Sequence, residues 1–193
     1  MALSRRFVLA AGASAVGFAA SASATENCAL RGLTESIDPP PEYLPGAPMR
    51  TSLLDDGAAG QRVRIFGKAL TPKCDPLTFA KLDFWQTDEN GNYDMVGYRL
   101  RAAQLTRRDG TFELETVMPG PYNGPRHIHF LLATRVGNRP QPIMLSGGIF
   151  FPTVDEFAAR SPSRRPPEFL DPSSLEISGG VLLVQCDIVV AIT

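Results

Sequence analysis

Hydrophobic and polar positions alternate along this chain in short runs that are separated by turn residues. Residues 62–70, RVRIFGKAL, alternate polar and apolar, as in a strand with one buried face. Residues 79–88, FAKLDFWQTD, predict a second strand, with Leu82 and Phe84 on one face and the residues between them on the other. Residues 111–117, TFELETV, follow the turn sequence RRDG and predict a third.

The same pattern continues towards the C-terminus. Residues 126–136, RHIHFLLATRV, residues 142–151, PIMLSGGIFF, and residues 179–193, GGVLLVQCDIVVAIT, each predict a further strand. Between the last two, residues 152–176 are rich in proline and charge and predict a long loop. We expect at most one short helix in this loop, over Val154–Arg160.

Several short strands separated by turns predict an all-β sandwich. The 17 glycines and 17 prolines of the 193 residues favour turns over long helices. We expect a single-domain β-sandwich over residues 62–193, with the long loop near its C-terminus. Residues 25–61 contain the sequence DPPPEYLPGAPMR, which cannot form a helix interior. They predict a Pro-rich, extended arm that lies over the domain.

Residues 1–24 resemble an export signal rather than part of the fold. Arg5 and Arg6 form a twin-arginine pair, residues 7–20 are apolar and rich in alanine, and Ala22–Ala24 form a cleavage site. The alternative is an N-terminal membrane anchor, which the small, weakly hydrophobic side chains disfavour. We expect twin-arginine export to the periplasm or beyond the cell, with no membrane association after cleavage.

Net charge and cysteine content limit the expected partners and cross-links of the chain. A formal net charge of -1 gives no electrostatic reason to expect a nucleic acid or an anionic membrane as partner. Cys28, Cys74 and Cys186 predict one disulfide and one remaining thiol in an oxidising compartment, with the pairing left open. Their spacing does not suggest metal ligands. The sequence also leaves open whether the chain forms a homo-oligomer.

Both histidines of the chain lie one residue apart, in the sequence RHIHF. Residues at i and i+2 of a strand point to the same face, about 6.5–7 Å apart at Cα. His127 and His129 can therefore reach one point above the sheet, while Ile128 and Phe130 face the core. Tyr122 follows the turn sequence MPGP and lies close by along the chain. Taken alone, the pair is either a metal site or two surface histidines.

Two longer stretches carry a family resemblance. LDFWQTDENGNYD and YRLRAAQLTRRDGTFELETVMPGPYNGPRHIHF resemble the intradiol ring-cleavage dioxygenases, in order, spacing and flanking residues, from about Gly67 to Leu132. The family uses non-haem Fe(III) and a β-sandwich core. The resemblance implies four iron ligands: Tyr93, Tyr122, His127 and His129.

The chemistry of these side chains agrees with the resemblance. Phenolate oxygen is a hard anionic donor that suits a trivalent cation, and imidazole also binds iron. Two tyrosinates and one hydroxide would cancel the charge of Fe(III), which allows burial. The resemblance implies cleavage of a catechol-type ring by O₂ to a muconate-type diacid, without nicotinamide or flavin. It also implies that Tyr122 gives way to the catechol and accepts one of its protons.

The sequence departs from the family pattern in two places. The family carries an arginine three residues before the first histidine, where this chain has Gly124; Arg126 and Arg101 are the candidates to replace it. The family also carries a pocket glutamine where Gly148 stands. The loop over residues 152–176 has no family counterpart and is either a lid or a surface excursion.

These departures keep other functions open. One alternative is a catalytically impaired β-sandwich that keeps its metal site and binds an aromatic or a polysaccharide. Another is a copper or zinc site formed by His127 and His129 alone. The sequence does not fix the substrate, which is a catechol or a hydroxyquinol-like aromatic. Carboxylate-bearing catechols need a basic pocket wall, which the sequence does not identify.

Overall fold

The structure, a computed structural model, describes Cys28, Thr34 and residues 40–135 and 143–190. The expected export signal, residues 1–24, lies outside the described residues, so it stays a prediction. Within the described ranges, no helix has the length and apolar character needed to cross a membrane.

The described residues fold into two β-sheets, one short α-helix and single-turn 3-10 helices (Leu54–Asp56, Pro162–Arg164 and Pro172–Ser174). The strands are β1 (Arg62–Leu70), β2 (Lys81–Gln86), β3 (Arg101–Leu105), β4 (Thr111–Val117), β5 (Arg126–Thr134), β6 (Ile143–Phe151), β7 (Glu176–Ser178), β8 (Val181–Gln185) and β9 (Ile188–Val189), and the α-helix is α1 (Val154–Ala159). One sheet has the order β4-β1-β8-β7, with β9 beside β1, and the other has the order β3-β2-β5-β6. The predicted all-β sandwich is confirmed.

The core forms because each sheet turns one row of apolar side chains towards the other. Leu82, Phe84 and Phe130 of the second sheet are fully buried in one hydrophobic cluster with Ile65 and Leu114 of the first. Burying each such side chain contributes about 1.5–3 kcal/mol. The alternation predicted for β2 is confirmed, since Leu82 and Phe84 lie in this core. The opposite face of the second sheet is therefore free to carry polar side chains.

The prediction of one strand over residues 179–193 is wrong. The segment forms β8 and β9, which are separated at Cys186 and Asp187. β1 approaches this break so closely that a Cβ on Gly67 would lie 1.9 Å from the Cys186 carbonyl oxygen. The Asp187 carboxylate then accepts a hydrogen bond from the Lys68 N–H (2.9 Å), in place of a main-chain partner. Residues 191–193 lie outside the described residues.

The arm lies along the edges of both sheets. Met49 forms a parallel bridge with Ala103 of β3, and Ser52 forms one with Glu115 of β4. Main-chain hydrogen bonds accompany both bridges, such as that from the Ala103 N–H to the Pro48 carbonyl (2.8 Å). The described part of the arm therefore covers two strand edges that would otherwise expose unpaired polar groups.

The cysteines confirm the expectation of one disulfide and one thiol. Cys28 pairs with Cys74, which ties the start of the arm to the segment after β1. Cys186 is free and buried in the core.

The loop after β6 returns to the sheet. Helix α1 confirms the predicted short helix and begins with a capping box at Thr153 and Glu156. Phe169 then forms a parallel bridge with Phe150 at the end of β6. This part of the loop is therefore packed against the strand that neighbours the histidines.

Candidate active site

The outer face of the second sheet places polar and aromatic side chains side by side. His129 of β5 lies in register with Trp85 of β2 and Gly148 of β6. His127, two residues earlier, lies in register with Phe150. The two histidines share a face, as the strand period predicts.

The two imidazoles point at each other. Their Nε2 atoms are 3.0 Å apart, and their ring planes are nearly perpendicular. The His127 Nδ1–H donates to the Pro125 carbonyl (2.8 Å), which leaves the Nε2 lone pair of this ring directed into the site. His129 stacks on Trp85 with ring centroids 5.0 Å apart. Burial, with smaller contributions from His127 and Arg101, lowers the pKa of His129 to about 3, so that this imidazole is neutral.

Two glycines bring the candidate tyrosines together. Gly91 and Gly120 each stand two residues before a tyrosine, and their loops pack main chain against main chain. A Cβ on Gly120 would lie 2.3 Å from the Gly91 nitrogen and 2.5 Å from the Asp88 carbonyl oxygen. The Gly120 N–H donates to that same carbonyl (2.7 Å). Only residues without a side chain allow this approach, and it brings Tyr93 beside Tyr122.

The Tyr93 phenol lies next to the His129 imidazole, and the Tyr122 phenol packs against Tyr93. Tyr93 and Tyr122 meet edge to face with centroids 5.1 Å apart, and Tyr93 lies 6.1 Å from His129. The Tyr93 hydroxyl is buried and has no hydrogen-bond partner among the described residues. The Tyr122 hydroxyl donates to Glu42 Oε1 of the arm (2.8 Å).

Both phenols are held in the neutral form. Burial raises the pKa of Tyr93, and the negative charge of Glu42 raises it further. The hydrogen bond to Glu42 raises the pKa of Tyr122. Either phenol would therefore lose its proton only beside a strong positive charge, such as a metal ion.

The structure brings one of the two candidate arginines to the site. Arg101 is 2% exposed, and its guanidinium donates to the carbonyls of Asp94 (2.7 Å) and Glu42 (2.8 Å). Arg126 is the first residue of β5, so its side chain points to the opposite face from that of His127. Its Nη1 donates to the Pro119 carbonyl (3.3 Å). Arg126 therefore lies away from the imidazoles, whereas Arg101 connects the arm to the loop of Tyr93.

Comparisons with known proteins agree with this geometry. A family model described as Dioxygenase matches residues 39–153. The dioxygenase domain of a dioxygenase and carbohydrate-binding protein fusion from Streptomyces sp. SirexAA-E is 31% identical, with a TM-score of 0.65, over 83% of this chain and 99% of that one. This chain belongs to the intradiol ring-cleavage dioxygenase family. The resemblance found in the sequence is confirmed.

Two further relatives share less sequence identity with this family member than the Streptomyces domain does. Chlorocatechol 1,2-dioxygenase from Rhodococcus opacus is 28% identical over 104 residues, which are 48% of this chain. This chain spans only 40% of that relative's length. An intradiol ring-cleavage dioxygenase from Tetranychus urticae has the same fold, with a TM-score of 0.61 and 23% identity over 82% of this chain and 94% of that one.

Gly148, the second departure from the family pattern, lies against the ring of Phe150. A Cβ on Gly148 would lie 3.0 Å from the Phe150 ring, which also packs on His127 with centroids 5.4 Å apart. Phe150 in turn contacts Phe169 of the loop after β6 (6.0 Å). An aromatic ring therefore occupies the space that a side chain at position 148 would enter. The buried Nδ1 of His129 has no hydrogen-bond partner within the described residues.

Sequence reasoning missed three residues that the fold places at the site: Glu42, Trp85 and Phe150. Glu42 lies in an irregular segment, and its contact with Tyr122 joins residues 80 positions apart. Trp85 stands on a face of β2 that could have been recognised as the histidine face only once the strand register was known.

The donor set of this face fits a ferric ion. The described residues contain no cluster of three or more His, Cys, Asp and Glu side chains able to hold a metal. An ion between the two imidazoles would therefore need the phenol oxygens, which suit a hard trivalent cation better than copper or zinc. The orphaned hydroxyl of Tyr93 and the opposed Nε2 atoms of His127 and His129 agree with such an occupant.

Proposed function

We propose that this chain is a non-haem Fe(III) intradiol dioxygenase that cleaves a catechol-type aromatic ring with O₂ to a muconate-type diacid. One observation carries the proposal: two imidazoles face each other with their Nε2 atoms 3.0 Å apart, beside a buried phenol hydroxyl that has no hydrogen-bond partner among the described residues. Family membership supports ring cleavage in general.

Four side chains would hold the iron: Tyr93, Tyr122, His127 and His129. When bound, ferric iron would supply Lewis acidity and a template that binds the substrate oxygens. The hydrogen bond from His127 to the Pro125 carbonyl fixes the ring orientation that this role requires. The stack of Trp85 on His129 does the same for the second imidazole and excludes water from its face.

The two phenols would have different roles. The Tyr93 hydroxyl is buried, so this side chain would remain in place. The Tyr122 side chain is only half-buried, so this phenol can turn away from the imidazoles and make room for a catechol, and its hydrogen bond to Glu42 would break as it does so. As a phenolate it would accept a substrate proton at its oxygen. Arg101 would act as a positioning residue, because it joins the arm to the loop that carries Tyr93.

Purified protein tests the proposal through iron content, visible colour and oxygen uptake. We expect bound iron, a visible charge-transfer band from tyrosinate, and O₂ consumption when catechol is added. Tyr93→Phe and Tyr122→Phe should each change the band, and His127→Ala should lose the iron. Tyr98→Phe is the matched control, because the Tyr98 hydroxyl donates to the Pro45 carbonyl instead (2.9 Å). Protein that is colourless and free of iron would refute the proposal.

The same measurements separate the second candidate, a catalytically impaired site. Gly148 favours it, because no side chain from this position can support His129, and supporting contacts of this kind are worth about 10–100-fold in activity. Protein that binds iron and shifts its visible band with catechol under anaerobic conditions, but consumes no O₂, would be such a module. Copper or zinc in place of iron, found by metal analysis, would support the two-histidine site.

A further inference from the structure

We propose that Glu42 determines the substrate class of this site. Its carboxylate would disfavour catechols that carry an anionic ring substituent and would favour uncharged rings, above all those with an additional hydroxyl group. This inference rests on the proposed function, because it concerns the substrate of the same site.

The position of the carboxylate is the first support. Glu42 Oε1 accepts the hydrogen bond of Tyr122 at 2.8 Å, so it lies directly beside the phenol that a catechol would displace. Its negative charge also reaches Tyr93, whose pKa it helps to raise. A ring bound at the imidazole pair would therefore lie next to this carboxylate.

The second support is that the arm is held firmly at this point. Arg101 Nη1 donates to the Glu42 carbonyl (2.8 Å) from its buried position on β3. The next residue, Tyr43, packs on Trp85 with centroids 5.1 Å apart and donates to Asp83 Oδ2 (3.0 Å). Glu42 is therefore held through its own carbonyl and through the side chain of the next residue.

The charges around the site give the third support. The Nε and both Nη atoms of Arg101 donate to the main-chain carbonyls of Asp94 and Glu42, and the Glu42 carboxylate accepts from Tyr122. Arg126 is directed to the Pro119 carbonyl. A substrate carboxylate near Glu42 would thus meet a like charge, which is unfavourable at short range.

A hydroxyl substituent would have the opposite effect. When Tyr122 turns away, Glu42 Oε1 loses its donor, and a part-buried acceptor without a partner costs free energy. A ring hydroxyl can donate to this oxygen in place of the phenol. A hydrogen bond to an ionised acceptor is stronger than one between neutral groups.

The test compares catechol, 1,2,4-trihydroxybenzene and 3,4-dihydroxybenzoate on iron-loaded wild type, Glu42→Gln and Glu42→Asp. Dissociation constants are measured anaerobically by calorimetry, and kcat/KM by oxygen uptake. Wild type should bind the trihydroxy ring most tightly and the benzoate most weakly. Glu42→Gln should improve the benzoate relative to catechol about tenfold, which is about 1.4 kcal/mol. Glu42→Asp should keep the wild-type order because it keeps the charge.

The control is Glu176→Gln, which removes the same charge from an exposed residue of β7 in the other sheet and should change no ratio. The inference is overturned if wild type prefers the benzoate, or if Glu42→Gln changes all three ligands equally or none. Failure of wild type to bind or cleave any of the three rings would instead overturn the proposed function.

Discussion

Gly91 and Gly120 determine whether the two candidate phenols can meet. Their main chains touch, and each precedes its tyrosine by two residues. Gly91 also has a φ of +85°, which side-chain-bearing residues rarely adopt. The Gly-x-Tyr spacing therefore has a steric explanation that is independent of family membership.

Gly120→Ala should separate the two loops, since its Cβ would lie 2.3 Å from the Gly91 nitrogen. We expect a loss of about 1–3 kcal/mol in the free energy of unfolding, the usual range for overpacking. Iron content should fall as Tyr93 and Tyr122 move apart. Denaturant unfolding and metal analysis measure both effects.

Gly179→Asn is the control for this variant. Gly179 has a φ of +57°, which asparagine tolerates, and a Cβ there meets nothing within 4 Å. If Gly120→Ala unfolded like wild type and kept its iron, the steric explanation of the motif would fail.

At the scale of residues, the sequence predicts contacts between side chains that are close together along the chain. The pairing of His127 with His129 follows from the strand period alone. Glu42 and Phe150 could not be predicted, because their contacts with Tyr122 and His127 depend on how the arm and β6 lie on the sheet. The direction of the Arg126 side chain depends on the residue at which β5 begins, and a hydrophobic pattern defines strand ends poorly.

At the scale of elements, the arm behaves as an edge cover that is fastened by one arginine. Arg50 forms a two-point ion pair with Asp56 (2.7 Å for both contacts) and also donates to the carbonyls of Tyr98 and Arg101. These contacts hold the arm on β3, directly after the segment that carries Glu42. The edge cover at β3 therefore depends on this one side chain.

Arg50→Met should lower the free energy of unfolding by about 1.5–3 kcal/mol, because charged hydrogen bonds are lost and carbonyls are left without donors. Arg64→Met is the matched control, since Arg64 pairs with Glu113 on an exposed surface and should cost less than about 1 kcal/mol. Chemical denaturation compares the two. Equal losses would show that Arg50 acts as an ordinary surface cation.

The sequence pattern did not predict β3 and β7, because neither strand shows a sustained alternation between apolar and polar residues. β3, with the sequence RAAQL, has four buried residues in succession, and the arm pairs along its outer edge at Ala103. Its pattern therefore lacks the polar positions that mark a strand with one buried face. β7 has three exposed residues and no apolar face to recognise. Both elements exist because of what lies beside them in space.

At the scale of the whole molecule, one covalent link joins the start of the arm to the sandwich. The Cys28–Cys74 disulfide closes a loop with a sequence separation of 46, and Cys28 packs with Leu70 and Val189. A loop of this length gives a chain-entropy stabilisation of about 4 kcal/mol.

Replacing Cys28 and Cys74 by serine should lower the free energy of unfolding by about 2–4 kcal/mol, because the unfolded chain gains freedom. Thiol titration provides the control: native protein should react slowly, unfolded protein should show one thiol from buried Cys186, and reduction should release two more. Three thiols in unfolded, unreduced protein would show that the link is absent.

The position of β1 has a consequence for how this chain acquires its structure. Arg62 at the start of β1 faces Val117 of β4 on one side and Val181 of β8 on the other, and the second pairing is parallel. A parallel partner so far along the sequence can join only after a large loop has closed, which slows folding. Until that moment the central strand has an open side, and the half-assembled sheet is exposed to pairing with other chains. A segment that is synthesised long after β1 is thus the one that protects the middle of the sheet.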